Sequence, residues 1–129
     1  MANPAPSSPS ARRELSRHYK DNPPPAGVFA IRNLDDHRVY VNGSMNVDGA
    51  MNRARFELTM RGHRNKALQA DWLRLGAERF SFEIVDTVKK REEPGFDAAA
   101  ELEGLLAMWR QELGSWAPAG YNEREGVSA

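Results

Sequence analysis

The chain contains no cysteine. That excludes disulfides, thiolate-bound metals and cysteine nucleophiles, and it fits a reducing compartment. No stretch approaches the roughly 20 apolar residues that a membrane-spanning helix needs. The Pro- and Ser-rich start, MANPAPSSPS, also lacks the apolar segment of a secretory signal, so a soluble, cytoplasmic protein is expected. Histidine is scarce: His18, His37 and His63 lie far apart, and none forms an i, i+4 ligand pair with another. Nor is there an excess of one charge, because 18 basic residues balance 18 acidic ones and the overall balance gives no nucleic-acid signal.

The charge that is present is clustered. Arg53, Arg55, Arg61, Arg64 and Lys66 gather with only Glu57 against them, whereas Glu92, Glu93, Asp97, Glu101, Glu103 and Glu112 crowd the later part. One basic face on a polar molecule is the reading; solvated helix faces would give the same pattern. With 129 residues and 40% hydrophobic content, the chain suffices for a single domain with one compact core. Residues 1–25 read as an extension, disordered at first and then a short helix in ARRELSRHYKDN that must end before Pro23-Pro24-Pro25. The domain spans 26–123, and 124–129 form a polar tail.

Alternation marks the strands. In GVFAIRN, Val28 and Ala30 point one way and Phe29 and Ile31 the other; after Leu34-Asp35-Asp36-His37 the chain returns as RVYVNG. A turn centred on Asp35 and Asp36 sets Phe29 opposite Asn42 and Ile31 opposite Tyr40, with both aromatics on one face. Asn46 caps a helix over about 47–60, which carries the stripe Val47, Met51, Ala54 and Leu58, with Phe56 as a further candidate for it, and is stopped by Arg61-Gly62. A second helix follows in NKALQADWLRLG with Gly76 as its C-cap, and then a strand of about nine residues begins at Phe80 and joins the hairpin in one sheet. Asp97 caps the last helix, whose face is Leu102, Leu105, Leu106, Trp109 and Leu113. Glu103 falls about 60° beyond that stripe, at the border of core and solvent. Trp72, Trp109 and Trp116 read as core or core-edge residues.

The segments GVF, VYVNGS, NRARFEL, HRNKALQADW, FSFEIVD, ELEGLLAMW and GYN, in this order and spacing, resemble the GIY-YIG nuclease superfamily, which includes group I intron homing endonucleases. The resemblance spans about Gly27 to Asn122. It implies an α+β fold, a small three-stranded antiparallel sheet packed between helices, and a metal-dependent endonuclease that hydrolyses DNA phosphodiester bonds. Carried over residue by residue, it makes Tyr40 the second signature tyrosine, Glu103 the ligand of one Mg²⁺ or Mn²⁺, Asn122 the late asparagine, and His63 a match to a histidine of some members. Phe29 stands at the first tyrosine's position without its hydroxyl, and Asn42-Gly43 replaces a single glycine.

The largest departures are Ala50 and Ala54, which occupy the positions of the family's arginine and of the histidine or tyrosine that follows it. Arg53, about 60° round the helix from Ala50, is the candidate substitute, with His63, Arg64 and Lys66 as alternatives. The expected site is therefore Tyr40, Arg53, His63 and Asn122 for catalysis, Glu103 for metal, and Phe29, Arg55, Arg61, Arg64 and Lys66 for DNA. Arg55 lies about 140° from Ala50 and faces outward or pairs elsewhere. Without an arginine substitute, the loss of a transition-state contact of about 3–4 kcal/mol leaves a weakened nuclease. The alternative is an inactive module of the same fold that binds nucleic acid or another protein.

Overall fold

The structure, a computed structural model, describes residues 24–124. The helix expected over 11–22 and the tail beyond 124 lie outside the described residues. Three antiparallel strands, β1 (Gly27–Asn33), β2 (Val39–Ser44) and β3 (Phe80–Thr87), form a sheet in the order β2-β1-β3. The helices are α1 (Val47–Thr59), α2 (Lys66–Leu75) and α3 (Ala98–Glu112). This is the α+β architecture expected from the sequence.

The hairpin has the expected register, Phe29 facing Asn42 and Ile31 facing Tyr40. Its turn is fixed by Asn33, whose side-chain oxygen accepts the Asp35 and Asp36 amides at 2.8 and 3.3 Å. Asn46, Asn65 and Asp97 cap the three helices by accepting amides of the first turn. Gly76 closes α2 at φ 92°. At the end of α1 it is Arg61, and not Gly62, that takes the left-handed conformation (φ 64°), while the Gly62 amide returns to the Glu57 carbonyl at 2.7 Å.

Strand alternation gives the sheet two cores. Phe29, Ile31, Tyr40 and Phe80 face α1 and α2, where Ala54, Leu58, Leu68 and Trp72 complete a buried cluster. Val28, Ala30, Val39 and Val41 face α3, which covers them with the half-buried Leu102, Leu105, Leu106, Trp109 and Leu113. In β3 a bulge breaks the simple alternation: Phe29 pairs with Ile84 but Val28 pairs with Asp86, so Val85 is the extra residue. Val85 consequently joins the α3 side, and Asp86 accepts the indole N–H of Trp109 at 3.0 Å.

The C-terminal segment returns along the edge of β2. The Tyr121 amide donates to the Val39 carbonyl at 3.0 Å, and the Val41 amide donates to the Asn122 side-chain oxygen at 2.9 Å, which satisfies an otherwise open strand edge. Gly120 is required in this return, because a Cβ there would stand 2.3 Å from the Ser115 carbonyl oxygen. Tyr121 is locked by Asn33, which donates to its hydroxyl at 3.0 Å, and by Asp71, which accepts from it at 2.7 Å. Arg38 and Arg74 pair with the same carboxylate.

Candidate functional site

Between the hairpin, one face of α1 and the loop before α2 lies a cleft of about 510 Å³. Its walls follow from two periodicities. On β1 and β2, Phe29, Tyr40 and Asn42 reach it from the hairpin; on α1, Ala50, Arg53, Ala54 and Glu57 lie within about 100° of one another on the helix circumference and turn toward it. His63 and Arg64 close it from the loop. The two alanines make the hollow, since neither side chain extends beyond its Cβ.

His63 is nearly buried, 4% exposed, with its ring edge-on to Tyr40 at 5.2 Å between centroids. Its backbone N–H donates to the Gln69 side-chain oxygen at 2.9 Å, and the Gln69 amide in turn donates to the Leu58 carbonyl at 3.0 Å, so one buried side chain ties the loop to the end of α1. The His63 Nδ1 accepts the Asn65 backbone N–H at 3.0 Å. That bond assigns the proton of the neutral ring to Nε2. Burial holds the ring below the usual histidine range, so the neutral Nε2–H form is the one favoured.

Tyr40 is also nearly buried, and its hydroxyl oxygen accepts the Asn42 side-chain N–H at 3.1 Å. Burial pushes the phenol above the usual tyrosine range, against the lowering influence of Asn42 and of the Arg110 charge. Tyr40 therefore keeps its proton at neutral pH. Asn42 is itself held from α3: Arg110 donates to the Val41 carbonyl at 3.1 Å and to the Asn42 side-chain oxygen at 3.4 Å. The asparagine that departs from the signature glycine thus links α3 to the tyrosine hydroxyl.

The cleft is consequently lined by residues that carry donors and cations: Tyr40 with its hydroxyl, His63 in its Nε2–H form, and the arginines Arg53 and Arg64. Glu57 is its one carboxylate. Such a set suits an anion with several acceptor oxygens, which is the chemistry of a phosphate ester.

The expected residues separate accordingly. Phe29, Tyr40, Arg53, His63 and Arg64 come together at the cleft. Lys66 lines an adjoining depression of about 240 Å³ that shares Tyr40 and Arg64 with it. Arg55 turns away and stacks its guanidinium over Phe82, 4.3 Å from the ring centroid. Arg61 is exposed past the end of α1 and is not part of the wall. Asn122 is buried behind β2, where its side chain serves the Val41 amide.

Glu103 is not among the residues that line the cleft. It is exposed on α3, which packs against the opposite face of the sheet. Among the described residues no group of three or more His, Cys, Asp or Glu could hold a metal ion. The cleft itself offers one carboxylate, Glu57, beside the side-chain oxygens of Asn42, Ser44 and Asn46, and Mg²⁺ is commonly held by one or two carboxylates with water and substrate phosphate. Three contributors were not singled out from the sequence. Glu57 had a signal in its spacing, seven residues after Ala50 and four after Arg53; Gln69 and Arg110 had none.

Comparison with solved structures identifies the fold. The catalytic domain of the homing endonuclease I-TevI matches with a TM-score of 0.62 at 23% identity, covering 78% of this chain and 99% of that domain. A glutamate-to-alanine variant, described as the catalytic domain of intron endonuclease I-TevI, matches with a TM-score of 0.63 at 20% identity, covering 81% of this chain and 99% of that one. The fold is GIY-YIG-like, as the segment order implied. No protein-family model matches the chain. No curated protein matches it either.

Proposed function

We propose that the chain is an endonuclease-like protein whose cleft binds a DNA phosphodiester and hydrolyses it weakly. The observation that carries this reading is the convergence of Tyr40, Arg53, His63 and Arg64 on one cleft of a fold shared with a homing endonuclease catalytic domain. Arg53 and Arg64 supply charge-assisted hydrogen bonds to the non-bridging phosphate oxygens, and the Tyr40 hydroxyl and His63 Nε2–H add neutral donors. Because both of these groups hold their protons at neutral pH, Glu57 is the acceptor left to take a proton from an attacking water. The phosphorus–oxygen bond opposite that water breaks, and the departing oxygen is protonated from solvent.

Ala50 and Ala54 favour a second reading, binding without turnover, because they leave the middle of the α1 wall without a polar group. One assay divides the two. Purified protein is incubated with single- and double-stranded DNA, with Mg²⁺, with Mn²⁺ and with chelator, beside Arg53→Ala, Glu57→Gln and Glu103→Ala. The proposal expects slow cleavage, reduced on the order of 10²-fold by Arg53→Ala, abolished by Glu57→Gln and unchanged by Glu103→Ala. Salt-sensitive binding without cleavage establishes the second reading. Neither binding nor cleavage overturns both.

A further inference from the structure

On α1 the cleft wall continues into an apolar ridge. Gly49, Arg53, Phe56 and Met60 stand at i, i+4, i+7 and i+11, which confines them to about 60° of the helix circumference. The first two line the cleft; Phe56 is 64% exposed, and so is Met60, just past the last turn. They are the most exposed large hydrophobic side chains among the described residues, on a helix whose other face is fully packed. Neither contributes to either core.

We propose that Phe56, with Met60 behind it, is a stacking platform for an unpaired base of the DNA strand whose phosphate Arg53 holds. The proposal rests on the reading of the cleft as a phosphodiester site. Residues three apart on a helix bring their Cβ atoms within about 5–6 Å, so Arg53 and Phe56 are spaced like the phosphate and the base of one nucleotide. An aromatic ring beside a guanidinium offers a π-face and a charge together, which is how single strands are held without sequence preference. The ridge is one ring and one thioether wide, flanked by Asn52, Glu57 and Thr59. That is far below the roughly 800 Å² per partner of a stable protein interface, and it matches a single base.

The test is fluorescence anisotropy with a labelled single-stranded oligonucleotide, the same sugar–phosphate backbone without bases, and a fully paired duplex. It uses wild type, Phe56→Ala and Phe56→Trp, with helix content checked by circular dichroism. Phe56→Ala is expected to weaken binding to the single strand about tenfold and to leave binding to the baseless backbone unchanged. Phe56→Trp restores the affinity, and its fluorescence is quenched when the single strand binds. Equal affinity of wild type and Phe56→Ala for the single strand overturns the proposal while the phosphodiester reading stands. The same holds if the loss is identical on the baseless backbone or the duplex, or if Phe56→Ala abolishes self-association without changing DNA binding. If wild type binds none of the three ligands, the phosphodiester reading falls and takes the stacking platform with it.

Discussion

The side-chain amide of Asn42 donates to the hydroxyl of Tyr40 across 3.1 Å, and Arg110 holds that asparagine from the far side of the sheet. A hydrogen bond donated to a phenol oxygen favours its charged form, so it works against the burial of Tyr40. Asn42→Ala should therefore move the Tyr40 ionisation further upward, and Arg110→Leu should move it the same way by a smaller step. The tyrosinate absorbance of each variant, compared with Tyr40→Phe in the same background, reads the shift; an unchanged titration would remove Asn42 from the site.

The buried bond between Tyr121 and Asp71 ties the C-terminal return to α2. Tyr121→Phe leaves the Asn33 amide without its acceptor and removes one of the donors to Asp71, whose same oxygen keeps Arg38, and a destabilisation of about 1–3 kcal/mol is expected in urea unfolding. Burial opposes the charge of Asp71, but hydrogen bonds from Tyr121 and Arg74 outweigh it and hold its carboxyl below the usual range. This stability is present above the ordinary carboxylate range and is lost as pH falls through the lowered folded value. In Tyr121→Phe the acid limb of the stability curve should flatten.

His63 gives a second pH dependence in a different window. Its folded pKa lies below the ordinary value of 6.5, so its contribution is complete above that pH and falls away as the solution becomes more acidic. Protonation also places a second N–H against the Asn65 amide. Stability measured from neutral to mildly acidic pH should drop in wild type and remain level in His63→Asn over the histidine range; parallel curves would count against this.

Arg61 holds a left-handed backbone at the end of α1, where glycine is the residue without steric cost. Arg61→Gly should raise stability by about 0.5–1 kcal/mol, read as an upward shift in Tm. If its guanidinium contributes to DNA affinity from outside the cleft, the same variant binds more weakly and at a shallower salt slope. Stability and binding then move in opposite directions in one protein.

The hairpin was legible because each of its residues alternates between two faces and the Asp35–Asp36 turn admits one register. Two helix N-caps were legible for the same local reason, since Asn46 and Asp97 each precede an apolar stripe; Asn65, which caps α2 in the same way, was not singled out. The position of Glu103 relative to the cleft was not legible, because a helical stripe fixes which side of α3 is buried but not which face of a two-faced sheet it covers. The Val85 bulge is marked in the sequence only by the adjacent apolar pair Ile84-Val85, where the alternation changes phase. Arg110 reaches a carbonyl on the edge of β2, a long-range pairing that no periodicity encodes. Glu57 was within reach, since its spacing from Ala50 and Arg53 already puts it on their side of α1.

α3 has no fully buried residue, whereas Val47 and Leu58 of α1 and Leu68 of α2, on the other face of the sheet, are completely enclosed. The sheet is thus bound on one side by a deep core and on the other by a shallow one, and the shallow side has less apolar contact to lose when it opens. Local openings that detach α3 should cost less than those that detach α1 or α2, giving its amides the faster native-state hydrogen exchange. Each such opening withdraws Arg110 from Asn42 and frees the neighbour of the Tyr40 hydroxyl. The geometry at the cleft is in that sense only as durable as the thinner layer behind it.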